Sequence, residues 1–302
     1  MNNIESAPTR ASSILIAITW IFTLLASTLP DMVWDQFFGE TPGWLFWLKA
    51  GLLLILITLG MAWKMLQPLR PYFLLLLVFI LLWRVFSWIL TLDAWLAWTE
   101  QVPWAIGMAG IQLMKLVIAM LTIGILSLFF RRRQDFFLAR GEMDADAEPV
   151  RWLGMKGPFP WRRLALIVGV CAAAIMLASL WLSNQPSGVV WIKALSLLLL
   201  AFVFAATNAF SEEVSYRSSL LAPLHGLVGR GQAMALNAVF FGLAHYAGGV
   251  PLATLPTLFM TGFLGWFMAK ALLETKGLLR PWLIHFIADI PVYVFLIIGS
   301  VS

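Results

Sequence analysis

The sequence predicts an all-α membrane protein: a polytopic helical bundle with about nine transmembrane helices (eight possible) and a cytoplasmic N-terminus. Of the 302 residues, 61% are hydrophobic and only 12% are charged, whereas about a quarter of the residues in a soluble domain are charged. Apolar runs of about 20 residues recur along the chain, the length that a helix needs to cross a ~30 Å hydrocarbon core. Many of the 16 tryptophans lie near the ends of these runs, as in an interfacial aromatic belt. These observations exclude a soluble enzyme.

The order of apolar runs and charged loops predicts the topology. The runs fall at 13–29, 44–63, 71–90, 105–130, 163–183, 190–211, 232–247, 251–272 and 281–299. The seventh run is the shortest, which is why eight crossings is the alternative to nine. Sixteen of the 20 Lys and Arg residues, Arg10 among them, lie in alternate loops, and the positive-inside rule makes that side cytoplasmic. The net charge of +5 is therefore attributed to topology and not to nucleic-acid binding.

The chain divides into three predicted parts. Residues 1–130 form a four-helix membrane part of unknown role, 131–162 a charged cytoplasmic connection, and 163–302 a membrane core that holds all three histidines. The basic ends of the connection are expected to meet anionic lipid headgroups. The sequence does not indicate an oligomeric state.

Polar residues at membrane depth are informative, because each one costs a few kcal/mol unless it is paired. In the N-terminal part these residues are Lys49, Arg84 and Lys115. Lys49 lies near a helix end and is expected to extend its amine to the interface. Arg84 and Lys115 have no carboxylate on their own helices, and we interpret them as structural contacts within the bundle.

The first polar cluster of the C-terminal part is Ser211–Arg217. On a helix, Glu213 and Arg217 are four residues apart in the favourable order and are expected to pair. Glu212 lies about 100° further round the helix, with no partner on its own helix, and an unpaired carboxylate at low dielectric suits a general base. A solvated Glu-Glu-Arg face at a helix end is the alternative.

Two histidine clusters follow. His245 ends the segment Phe241-x-x-x-His245 and, alone, would be interpreted as a hydrogen-bonded core histidine. His285 and Asp289 are four residues apart and can reach a common point or bond each other. Counted along their helices, Glu212, His245 and His285 lie ~14–20 Å from the cytoplasmic helix ends. The three clusters therefore predict one convergent site inside the membrane that is open to the cytoplasm.

Together the clusters resemble the three motifs of a known family, the CAAX protease and bacteriocin-processing (CPBP, or Abi) family of intramembrane proteases, which includes the Ras-converting CAAX endopeptidases. The resemblance extends over roughly 165–299 and rests on Glu212-Glu213-x-x-x-Arg217, Phe241-x-x-x-His245 and His285-x-x-x-Asp289.

The resemblance implies a role for each matching residue. It implies that Glu212 and His245 activate a water, while Glu213 and Arg217 support the site. It also implies that His285 and its partner Asp289 stabilise the oxyanion. Many family members have Asn at the last position, and an aspartate donates there only when it is protonated, so Asp289 is alternatively expected to orient His285.

The resemblance predicts an intramembrane endopeptidase that acts on a peptide or membrane-protein substrate in a prokaryotic cytoplasmic membrane. We expect catalysis without a cofactor. The alternative is a zinc ion held by Glu212, His245 and His285, since two His and a Glu can complete a catalytic zinc site and family members are often named metalloproteases.

Two other classes of function stay open. One is a non-catalytic membrane protein of the same fold, such as a bacteriocin-immunity or partner-stabilising factor. The other is an ion-coupled transporter that uses the same buried carboxylates as a relay. The transporter is the less favoured of the two, because the sequence has no inverted repeat.

Overall fold

The computed structural model describes residues 13–246, 248 and 251–302, without the side chains of 251–253. The predicted loop charge Arg10 lies outside these residues, as does part of the loop predicted at 248–250. The helices are α1 Ser13–Ala26, α2 Leu29–Phe38, α3 Gly43–Ala62, α4 Arg70–Ile89, α5 Asp93–Gln101, α6 Trp104–Phe129, α7 Trp161–Asn184, α8 Gly188–Ala194, α9 Leu198–Glu212, α10 Ser219–Leu224, α11 Arg230–Leu243, α12 Pro251–Thr275 and α13 Leu279–Val301.

The helices confirm the predicted all-α polytopic bundle. In the described part of the chain, seven helices are long and apolar enough to cross a membrane, or eight if α1 and α2, bent by 52° at their junction, form one span. The run at 232–247 forms α11, which has only 14 residues. At 1.5 Å per residue this helix is about 21 Å long, too short for a ~30 Å hydrocarbon core. The structure therefore favours the predicted alternative of eight crossings over nine.

One span changes its helical form along its length. Residues Gly188–Leu224 form a 37-residue apolar stretch in which a 3₁₀ turn at Leu195–Leu197 precedes α9 and a π-helix at Glu213–Ser218 follows it. A π-helix is wider than an α-helix and often marks a functional site. Glu212 is the last residue of α9 and Glu213 the first of the π-helix, so the first predicted motif lies at this junction.

Contacts divide the chain into two compact units. Unit 1 comprises Met1–Leu81 and Ser219–Trp266, and unit 2 comprises Leu82–Ser218 and Phe267–Ser302. Each unit takes residues from both the N-terminal and the C-terminal parts of the chain. The helices before residue 131 thus share their cores with the segments that carry the predicted motifs.

In unit 1, α1 packs against α11. The Trp20 indole donates to Gln232 Oε1 at 2.7 Å, and the Phe79 and Phe240 rings lie 5.4 Å apart. Helices α11 and α12 approach closely at Gly242, where a Cβ atom would lie 2.6 Å from the carbonyl oxygen of Leu258. A small residue is required there because two helix backbones are nearly in contact.

In unit 2, α13 packs against α7 and α9, and α6 packs against α9. Gly169 permits the approach of α7, since a Cβ atom there would lie 3.1 Å from the Cβ of Ile287. Gln112 of α6 donates its amide to the Tyr293 hydroxyl of α13 at 2.8 Å. Helices α6, α9 and α13 therefore surround a common interior that includes polar groups.

The connection 131–162 belongs to unit 2 and is folded. Two short strands, β1 Asp146–Ala147 and β2 Phe159–Pro160, pair antiparallel. The carboxylate of Glu274, at the end of α12, accepts a hydrogen bond from the Trp161 indole at 2.7 Å and pairs with Lys270. The connection is therefore anchored to the membrane helices, and its contact with lipid headgroups stays a prediction.

Three basic residues differ from the sequence-based interpretation. Lys49 does not extend to an interface: its side chain is buried, pairs with Asp31 and donates to the Ser27 carbonyl at 2.8 Å. Arg217 and Lys270, which are among the 16 basic residues assigned to loops by the topology prediction, are also buried and form ion pairs inside helices. A carboxylate within reach keeps each of these charges inside the protein.

Candidate active site

The candidate site in unit 2 contains a buried ion pair, Glu213–Arg217, that contacts His285. The Arg217 guanidinium lies 3.4 Å from Glu213 Oε1, and both side chains have no exposed surface. This confirms the pairing predicted from their spacing. Glu213 Oε1 also accepts a hydrogen bond from His285 Nδ1 at 2.8 Å. Because a carboxylate only accepts, this bond fixes the proton on Nδ1 and turns Nε2 of His285 away from Glu213.

Glu212 has a partner that the sequence did not predict. Lys115 of α6 places its ammonium 3.1 Å from Glu212 Oε1 and donates to Asn208 Oδ1 at 2.5 Å. The Trp83 ring covers the same ammonium at 5.6 Å from its centroid. Lys115 was interpreted as a structural contact within the bundle, but it is in direct contact with the proposed catalytic base.

His285 and Asp289 lie near each other on α13, as predicted. The distance from His285 Nε2 to Asp289 Oδ2 is 3.6 Å, and that from Nε2 to Glu212 Oε2 is 3.7 Å. Asp289 Oδ2 accepts a hydrogen bond from the Asn208 amide at 2.8 Å. His285 thus donates a direct hydrogen bond to Glu213, whereas Asp289 is bound to α9 through Asn208.

These contacts form a closed ring of polar side chains inside unit 2. The ring runs through Lys115, Glu212, His285, Asp289 and Asn208 and back to Lys115. Two distances in it, both from His285 Nε2, exceed the length of a direct hydrogen bond. At such distances a bridging water or substrate atom can contact both partners. Glu212 Oε2 and His285 Nε2 thus face the same small space, an arrangement suited to proton transfer.

His245 belongs to unit 1 and has different surroundings. It follows the end of α11, its side chain is exposed, and its Nδ1 bonds the Phe241 carbonyl at 2.8 Å. A carbonyl only accepts, so Nδ1 carries a proton and Nε2 of the neutral ring is available as a base. The predicted cooperation of His245 with Glu212 stays a prediction.

Contacts from Thr28, just before α2, and from Asp35 of α2 hold the segment around His245. Thr28 donates its hydroxyl to the Leu243 carbonyl, and Tyr246 donates its hydroxyl to Asp35 Oδ2 at 2.7 Å. Burial and the adjacent Asp35 carboxylate raise the pKa of Tyr246 to about 12. The Tyr246 hydroxyl therefore remains a donor at neutral and moderately alkaline pH.

The zinc site predicted as an alternative stays a prediction. Among the described residues, no three or more His, Cys, Asp or Glu side chains form a group placed to hold a metal ion. The ammonium of Lys115 already supplies a positive charge at Glu212. A cation beside it would be repelled by that charge, and we assign no step to a metal.

Sequence reasoning missed Lys115 and Asn208. Asn208 is four residues before Glu212 on the same helix, a spacing that marks a shared face. Lys115 offered only the signal of a cation in the middle of an apolar helix. Its partner lies 97 residues away in the chain, and nothing in the sequence pairs α6 with α9.

Comparison with known proteins agrees with the motif-based interpretation. Residues 192–291 match the family model described as type II CAAX prenyl endopeptidase Rce1-like. Among curated proteins and among solved structures, nothing matches the chain. The matched segment contains all six predicted site residues, whereas Lys115 and Asp35 lie outside it. The resemblance of this chain to the CAAX proteases is thereby confirmed: residues 192–291 match the Rce1-like family of type II CAAX prenyl endopeptidases.

Proposed function

We propose that this integral membrane protein is an intramembrane endopeptidase that hydrolyses a peptide bond with a water activated by Glu212 and His245. The observation that carries the proposal is the direct contact of Glu213 with His285, next to Glu212, inside a membrane helix bundle. Buried acids and histidines are costly in a membrane. Their concentration at one place is typical of a site that transfers protons.

The proposed first step is attack by water. Glu212 Oε2 takes a proton from the water, and the oxygen of the water adds to the carbonyl carbon of the scissile bond. The family resemblance implies that His245 also helps to activate this water. The oxygen of the resulting tetrahedral intermediate carries the negative charge. His285 Nε2, in its protonated form, donates a hydrogen bond to that oxygen.

The proposed second step breaks the carbon–nitrogen bond. The proton taken from water passes to the leaving amine, so that a new amine and a new carboxylic acid are the products and the base is restored. Glu213 and Arg217 keep the His285 ring oriented through the Nδ1 hydrogen bond. Asp289 lies beside Nε2 and balances the charge of the imidazolium.

The test compares wild type with Glu212→Gln in detergent, using prenylated C-terminal peptides and transmembrane peptides as substrates. We expect the variant to lose about 10²–10⁴-fold in turnover, the contribution typical of a general base. The matched control is Glu100→Gln, at an exposed glutamate of α5, which should retain full turnover. Equal turnover of Glu212→Gln and wild type would overturn the proposal and favour the non-catalytic alternative.

A further inference from the structure

Lys115 lies outside the segment that matches the CAAX protease family, in the middle of α6. From α6 the Lys115 side chain reaches Glu212 with a hydrogen bond and an ion pair. From this contact we propose that Lys115 is a positioning residue of the active site, which holds the Glu212 carboxylate in its working orientation. The inference rests on the proposed role of Glu212 as the base.

The contacts of Lys115 are directional. An ammonium has three donors, and here one points to Glu212 Oε1 and another to Asn208 Oδ1. The Trp83 ring covers the ammonium, and only 16% of the Lys115 side chain is exposed. A lysine on the protein surface would turn freely, whereas this one has several fixed partners.

The consequence for Glu212 is that its two oxygens differ. Lys115 contacts Oε1, while Oε2 faces His285 Nε2 at 3.7 Å. Fixing one oxygen fixes the other, because the carboxylate is planar. The oxygen that we propose takes the proton from water is therefore aimed at the side of the site where His285 lies.

Charge balance supports the same role. The acids of the cluster are Glu212, Glu213 and Asp289, and its bases besides Lys115 are Arg217 and His285. Among the described residues of this cluster, loss of Lys115 removes one of the three basic groups that balance its three carboxylates. An excess carboxylate at low dielectric takes up a proton or draws in water, and either change removes the ordered base.

Asn208 extends the effect of Lys115 to the other side of the site. Its amide oxygen accepts from Lys115 and its amide nitrogen donates to Asp289. Lys115 thus fixes the direction of the amide, and the amide in turn orients the Asp289 carboxylate beside His285. Through two routes, one cation from α6 organises side chains on α9 and α13.

The kinetic test uses Lys115→Met, which keeps the length of the side chain and removes its charge. We expect kcat to fall about 100-fold, the cost of a small misplacement of a reacting group, with KM within about threefold of wild type. Lys115→Arg keeps a charged donor and should recover kcat to within about tenfold of wild type. Lys193→Met, at an exposed lysine of α8, is the matched control and should leave kcat unchanged.

The kinetic outcomes separate positioning from packing. A purely structural lysine would lower the amount of folded protein without changing the kcat of the folded fraction, and Lys115→Arg would not rescue it selectively. If Lys115→Met retains the kcat of Lys193→Met, or if kcat and KM change together, the proposal is overturned.

A second measurement does not need activity. Thermal unfolding in detergent is compared for Lys115→Met, Glu212→Gln and the double variant. We expect Lys115→Met to lower Tm and the added Glu212→Gln to restore part of the loss, because it removes the unbalanced carboxylate. Additive effects would refute the coupling of Lys115 to Glu212. If wild type cleaves neither peptide class, the proposed function fails, and this cycle still decides whether Lys115 holds Glu212.

Discussion

The two places that carry the predicted catalytic residues are built differently. In unit 2, Glu212, Glu213 and His285 are buried and held by ion pairs and by hydrogen bonds between side chains. In unit 1, His245 is exposed, and its ring nitrogen bonds the carbonyl of its own helix. The segment around it is held at its flanks by Thr28 and by Asp35, through Tyr246.

The difference indicates how each residue is kept in place. The buried cluster depends on charge balance, since every acid in it needs a cation or a donor at low dielectric. The His245 segment depends on helix packing and a few hydrogen bonds, whose net contributions are smaller. We therefore expect changes in the buried cluster to affect folding strongly. Changes around His245 should affect activity more than folding.

The largest loss of stability is expected for Arg217→Met. Removing the guanidinium leaves the Glu213 carboxylate, which has no exposed surface, without its ion pair. Breaking a buried pair on one side costs about 3–5 kcal/mol, which thermal or denaturant unfolding in detergent would measure. The control is Arg163→Met, at an exposed arginine of α7, which should change the free energy of unfolding by less than about 0.5 kcal/mol.

A double variant tests whether charge balance stabilises the buried cluster. Adding Glu213→Gln to Arg217→Met removes the buried negative charge that has lost its guanidinium partner. We expect the double variant to recover part of the free energy of unfolding that Arg217→Met loses. Activity should stay low in the double variant, because a glutamine oxygen can accept from His285 Nδ1 but lacks the negative charge that the carboxylate places beside the His285 ring. If Arg217→Met were as stable as the Arg163 control, charge balance would not be what holds the buried cluster.

An intermediate effect is expected for Gly242→Ala, which tests the packing of the His245 segment. A Cβ atom at residue 242 would lie 2.6 Å from the Leu258 carbonyl oxygen and 3.1 Å from Gly262 Cα. Helices α11 and α12 must then move apart, at a cost of about 1–3 kcal/mol. We also expect turnover to fall about tenfold or more, because a small displacement of a catalytic group is costly.

Gly51→Ala is the matched control for this change. Gly51 lies in α3 of the same unit, and a Cβ atom there meets nothing within 4 Å. In a helix the added methyl group should be neutral or slightly stabilising. Wild-type turnover in Gly242→Ala would show that the position of His245 does not depend on this close approach.

The sequence predicted the parts of the fold that depend on local pattern. The apolar runs correspond to helices, and the short run at 232–247 raised the alternative of eight crossings that the 14-residue α11 favours. The pairing of Glu213 with Arg217 could also be predicted, since it requires only helical periodicity. Local information is sufficient in each of these cases.

The parts that escaped prediction are those that join distant helices. Lys49 was expected at an interface because its partner Asp31 lies on another helix, α2. Lys115 was interpreted as structural because its partner lies on α9. Helix packing in membranes depends on shape and on small residues, which a single sequence does not pair across helices. The motif resemblance predicted the acids and histidines of the candidate site but did not include Lys115.

The smallest effect is expected for Tyr246→Phe, which removes one hydroxyl at the edge of the His245 segment. The hydroxyl donates to Asp35 Oδ2 at 2.7 Å, and a hydrogen bond to a charged group contributes about 1.5–3 kcal/mol when it is well formed. Because Tyr246 is only half-buried, we expect a loss of about 1 kcal/mol. Turnover should fall a few-fold with KM unchanged, since the segment around His245 loses a hydrogen bond at its flank.

The pH dependence of this effect provides a further check. Folding raises the pKa of Tyr246 to about 12, above its value of about 10 in an unfolded chain. The stability that this hydroxyl provides is therefore fully present below pH 10 and is lost as the pH rises through about 12. The stability difference between wild type and Tyr246→Phe should consequently be constant between about pH 6 and 9. A difference that changes within this range would mean that Tyr246 is not the donor to Asp35.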